Sequence, residues 1–244
     1  MLHHHVVMKE TKKQLTTMKL RNHLAILVLG GFMMAALPAM SQTEQWVEQQ
    51  KEVIKMRKTM AKMTRKQVES NVWKETKRQV RAWKKEGWKS SPGTPSLEQQ
   101  LNDALMAQYE LEGTFPRFII GRGSGYGSTF GTARKQAVAR ARADVAACIQ
   151  TEVTELIEAS ESNVELSHSD VETVGKVLTS SRQFVEQSLG RTQVVFEAFR
   201  EKDGKTEVMV NVSCDGRSAR STVLKAFEKE SGELQEKLSK LMGE

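Results

Sequence analysis

The sequence predicts an α+β fold: a small antiparallel sheet, made of one strand plus a hairpin, packed by long helices and preceded by a long basic helical extension. Three observations predict it. The run FIIGRGSGYG has period two and leads into an alanine-rich stretch of helical period. Two alternating runs enclose Asp203-Gly204, a hairpin turn signal. Apolar residues at three- and four-residue spacing mark the remaining long segments as helices with one buried face.

In chain order, residues 1–41 read as an upstream extension followed by a signal peptide. Lys19 and Arg21 form a positive region after Met18, and residues 24–37 are uncharged and apolar. Pro38 then breaks the run, and Ala39-Met40-Ser41 has the small-x-small form of a cleavage site. Export with cleavage before Gln42 is expected. The alternative is an uncleaved anchor, because the apolar run is only slightly short of a spanning helix. Residues 1–17 fit no part of a signal peptide, which makes Met18 a candidate start.

Residues 42–112 read as a basic, tryptophan-containing helical extension and linker. Trp46, Trp73, Trp83 and Trp88 all fall here. Val53, Met56, Met60 and Met63 recur at helical spacing, and Val72, Val80 and Trp83 extend the stripe imperfectly. One helix over 46–85, or a broken pair, is expected. The run EGWKSSPGTPS ends it, and Ser96 caps a short helix with Leu97, Leu101 and Leu105 on one face.

Residues 113–244 read as the main domain. A strand over 117–126 is followed by a helix over 132–160, whose apolar face holds Ala137, Ala141, Val145, Cys148, Ile149, Val153 and Leu156. A second helix over 169–189 starts near Ser167 or Ser169 and is ended by Gly190. The hairpin strands cover 193–200 and 205–213. A final helix over 218–242 turns Val223, Phe227, Leu234, Leu238 and Leu241 inward. Cys214 shares a strand face with Val208, Val210 and Val212, and Cys148 lies on the helix face expected to pack there. An oxidising compartment would allow a Cys148–Cys214 disulfide, with two buried thiols as the alternative.

The glycine cluster invites a phosphate-binding reading, and the spacing rejects it. No glycine there is followed by Lys and then Ser or Thr. The three registers of G-x-G-x-x-G close on Tyr126, Ser128 and Phe130 instead of glycine. Gly121, Gly123 and Gly125 share one strand face, so they are expected to let a helix approach closely. Chemistry elsewhere is sparse. After the expected cleavage only His168 remains of the five histidines, too few for a multi-histidine metal site and in no triad context. No catalytic residue, cofactor or metal is expected.

The net charge of +7 permits an acidic partner without demanding one. Its densest source is the extension. Lys58, Lys62, Arg65 and Lys66 fall on one helical side at three- and four-residue spacing, followed by Lys77, Arg78, Arg81, Lys84 and Lys85 with Trp83 and Trp88 beside them. One reading is an arm that binds anionic membrane lipid or, less compatibly with export, nucleic acid. The other is a solvated helix whose apolar stripe packs on the domain.

The order of parts carries a resemblance. The strand with GRGSGYGS, the helix ARKQAVARARADVAACIQTEV and the hairpin VVFEAFREKDGKTEVMVNV resemble the LPP-twenty family of envelope lipoproteins over about residues 115–230. The same stretch is similar to the N-terminal domain of a flagellar-ring accessory protein. The resemblance implies a role in the bacterial envelope, periplasmic or outer-membrane associated, and brings no catalytic residues with it. The family's lipid-accepting cysteine has no counterpart after the apolar run, so lipidation is not implied. The expected function is therefore that of a secreted, non-enzymatic module that binds an envelope protein or polymer. Peripheral contact with an anionic membrane is the alternative and an enzyme of unrecognised type the second alternative.

Overall fold

The computed structural model describes residues 42–161, 168–189, 191–228 and 232–242. The expected signal peptide and its cleavage site, the Ser167 cap and the Gly190 stop lie outside them. Among the described residues the chain is α+β, with seven helices, a four-stranded antiparallel sheet and a two-stranded one. It divides into two units, one ending at Gln79 and one running Val80–Glu244.

The expected long helix is a broken pair, α1 (Gln42–Met60) and α2 (Arg65–Lys85). The break has a local cause. Gln67 Oε1 reaches back to accept from the Thr64 backbone N–H at 3.1 Å, the return half of a capping box, and also accepts from the Thr64 hydroxyl at 3.0 Å. Val53, Met56, Met60 and Val72 of the apolar stripe are buried, and Met63 is half-buried.

The second unit is built on a sheet ordered β1 (Lys89–Ser90), β5 (Thr192–Lys202), β6 (Lys205–Asp215), β4 (Phe118–Gly127). A two-residue turn joins β5 to β6. Its residues Asp203 and Gly204 both have positive φ, 52° and 71°, which a hairpin turn of this twist requires. A bulge between Val194 and Phe196 shifts the β5 register. A small ribbon, β2 (Leu111–Glu112) with β3 (Phe115–Pro116), precedes β4.

Two expectations are corrected here. The boundary expected after residue 112 falls instead at 79/80. The reason is that β1 pairs with β5, while α3 (Leu97–Gln108), capped by Ser96, packs on β5. The supposed linker is part of the sheet and its cover. The second correction is that the C-terminal segment forms two helices, α6 (Gly216–Glu228) and α7 (Gly232–Met242). Asp215 caps α6 by accepting from the Ser218 N–H at 2.9 Å. Met242 and Ile157 are buried where Leu241 and Leu156 were expected.

One face of the sheet belongs to α4 (Phe130–Glu161), and α5 (His168–Ser188) packs on α4 and α6. The glycines of β4 decide how close α4 comes. A Cβ at Gly121, Gly123 or Gly125 would stand 2.1–2.2 Å from the backbone oxygen of Ala141, Ala137 or Ala133. No side chain fits there, so backbone packs on backbone. Ala133, Ala137, Ala141 and Val145, at four-residue spacing, form the matching row on the helix and are all fully buried.

The next row on α4 serves the outer edge of β4. Gln136 Oε1 accepts from the Tyr126 N–H at 2.8 Å, and Arg140 Nη1 donates to the Ser124 carbonyl at 2.9 Å. Asp144 Oδ2 accepts from the Arg122 N–H at 2.7 Å, and the Cys148 thiol donates to the Ile120 carbonyl at 3.7 Å. Four helix residues rise about 6 Å and two strand residues about 6.7 Å, so the two rows stay in step over this length. Each side chain supplies an acceptor where the strand offers N–H and a donor where it offers C=O. An edge strand with such partners is a poor template for another strand.

Candidate anionic-surface interface

The sequence offered two candidate sites, the cysteine pair and the basic helix, and rejected a phosphate site at the glycine strand. The glycine face is filled by the α4 backbone, which leaves no room for a phosphate there. Cys148 and Cys214 are both buried free thiols, so the expected bridge is not formed. Cys148 donates to Ile120, as above, and the Cys214 thiol points to its neighbour's carbonyl, Asp215 O, at 3.6 Å. Burial, aided by the Asp215 carboxylate, pushes the Cys214 thiol up to about 11.

The basic helix keeps its charge but not its expected tryptophans. Trp83 and Trp88 are 9% and 2% exposed, so neither belongs to a binding surface. Trp83 lies 5.3 Å from the Phe196 ring, on the sheet face opposite α4. Trp88 is covered by the Arg200 guanidinium, 4.5 Å from its ring centre. That arginine belongs to a row across three strands. Its Nε donates to Glu207 Oε2 at 2.7 Å, and the Tyr126 hydroxyl donates to Glu207 Oε1 at 2.7 Å. The hydrogen bond to Glu207, then burial, holds the Tyr126 phenol above its usual range. Glu207 is 1% exposed with both oxygens engaged, so the row anchors Trp88 to the sheet and keeps that carboxylate committed.

The expected stripe of Lys58, Lys62, Arg65 and Lys66 is also split. Lys58 lies in α1, Lys62 in the turn after it, and Arg65 opens α2 with its Nε 2.9 Å from Glu69. The Thr64–Gln67 contact that starts α2 breaks the helical phase between them. What remains together is one side of α2. Val72, Thr76, Val80 and Trp83 are buried on another side. The adjoining arc, about 140° wide at 3.6 residues per turn, carries Lys66, Trp73, Lys74, Lys77, Arg78, Arg81, Lys84 and Lys85, all exposed.

Two of these cations are engaged. Arg78 Nη2 bonds Glu75 Oε1 at 2.6 Å, and Lys84 Nζ bonds Glu98 Oε1 at 2.6 Å. The Lys84 hydrogen bond holds the Glu98 carboxyl below its usual range. Lys66, Lys74, Lys77, Arg81 and Lys85 have no carboxylate partner among the described residues. Trp73 is 41% exposed, with Lys77 Nζ 4.9 Å from its ring centre. Sequence reasoning left Trp73 out of the site. Phase alone sets Trp73 at the edge of the buried row, about 20° from Val80, and Lys77 one turn further on lies about 60° from Val80.

A cavity of about 380 Å³ lies at the end of α2, lined by Lys84, Trp88, Lys89, Ser90, Ser96 and Glu98 among others. Its Lys84 and Glu98 neutralise each other, as above. Among the described residues no group of three or more His, Cys, Asp or Glu is placed to hold a metal, and no helix is long and apolar enough to cross a membrane. No family model, curated protein or solved structure matches the chain.

Proposed function

We propose that this chain is an exported, non-enzymatic protein of the cell envelope that works by holding an acidic envelope component. The observation that carries the reading is the arc of α2 on which five cations face solvent without a carboxylate partner among the described residues. A helix that needed charge only for solubility would interleave both signs. The leader-like residues 18–41 support export, and the LPP-twenty resemblance of the strand, helix and hairpin supports the envelope as destination.

The test is crosslinking in intact cells with a photoreactive residue at position 70, inside the arc, and another at position 135 on α4 as a control. The expected result is an adduct with an envelope component from position 70 that disappears when Lys74 and Lys77 are changed to Glu. Adducts only with cytosolic proteins, or adducts indifferent to those changes, would count against the reading.

A further inference from the structure

We infer that the cationic arc of α2 seats the protein on an anionic lipid bilayer, with the Trp73 indole in the headgroup layer. This rests on the envelope reading above and names its acidic component. Geometry favours a plane. The helix is 21 residues long, a rod of about 32 Å, and its free cations lie along one side of it. Another side of it is buried at Val72, Thr76 and Val80, so the cations stay on the exposed side of the helix.

The chemistry favours lipid over nucleic acid. Four of the five unpaired cations are lysines, Lys66, Lys74, Lys77 and Lys85, whose long apolar stems can lie in the interface while the ammonium stays wet. Trp73, at the margin of the arc, has the amphipathic ring that settles at headgroup depth. Single-stranded nucleic acid would call for successive stacking faces, and the arc offers a single indole.

The test uses the full chain and two kinds of vesicle, phosphatidylcholine alone and phosphatidylcholine with about a quarter phosphatidylglycerol. Any contribution of the apolar residues 24–37 is common to both, so the readout is the difference between them. The expected result is stronger partitioning onto the anionic vesicles at low salt, lost as screening shortens to roughly 8 Å at physiological ionic strength. Changing Lys74 and Lys77 to Glu should weaken that partitioning by about tenfold or more. Brominated lipid should quench the fluorescence of the native chain, and Trp73→Phe should remove that quenching while leaving the helical circular dichroism unchanged. Equal partitioning onto both vesicles overturns the inference, as does quenching unaffected by Trp73→Phe. So does tighter binding to DNA than to the anionic vesicles. Any of these leaves the envelope reading to be judged by crosslinking in cells, so the two failures are distinguishable.

Discussion

At the scale of single residues, Gly123 is the position where one added carbon does most. Its Cβ would fall 2.1 Å from the Ala137 oxygen and 2.5 Å from the Ala141 nitrogen, both backbone atoms that cannot swing aside. Gly123→Ala should cost about 3 kcal/mol and lower the melting temperature by about 10 °C, as read by thermal unfolding. Millimolar ATP or NAD should leave the melting temperature of the native chain where it is. The thiols give a second test. With Cys214 raised to about 11, its thiolate at pH 8 is scarcer than in an unfolded chain by about a hundredfold. Alkylation should therefore be slow in the folded protein and rapid in denaturant, with two thiols titrated without reductant. The glycine role was legible in sequence because period two names a face. The fates of the tryptophans were not. Trp83 and Trp88 are buried by β5 residues over a hundred positions away, Phe196 and Arg200, and no local pattern announces that cover.

At the scale of elements, α4 reads as blocks of four: ARKQ, AVAR, ARAD, VAAC. The first residue of each block meets the glycine strand, and the fourth bonds its outer edge. The alanine row was readable from spacing. The polar row was not, since Gln136, Arg140, Asp144 and Cys148 share no residue type and acquire meaning only from the alternating donors and acceptors of β4. Asp144→Ala leaves the half-buried Arg122 N–H without this acceptor and should cost about 2 kcal/mol in denaturant unfolding, with Asp144→Asn costing less. The same scale decides where α1 stops. The Thr64–Gln67 contact lies in the sequence TRKQ, whose spacing is that of a capping box and whose signal is masked by the methionine stripe running past it. Thr64→Ala should destabilise the start of α2 by about 1 kcal/mol. Amide exchange at residues 65–68 should rise correspondingly.

At the scale of the whole molecule, the order of strands is what the sequence conceals. The hairpin and the glycine strand were each legible, but the two-residue β1 carries no periodic signal and is recruited by β5. Residues 80–112 therefore belong to the folded unit. A chain of residues 65–244 should unfold cooperatively. A chain of residues 113–244, which lacks Trp83, Trp88, Leu97, Leu101 and Leu105 over β5, should give no cooperative transition. The function proposed for the molecule depends first on where it resides. Intact mass of the native protein from separated cytosolic and envelope fractions tests this most directly. The expected result is a chain in the envelope fraction that begins at Gln42. A cytosolic chain that still carries residues 24–37 would contradict it.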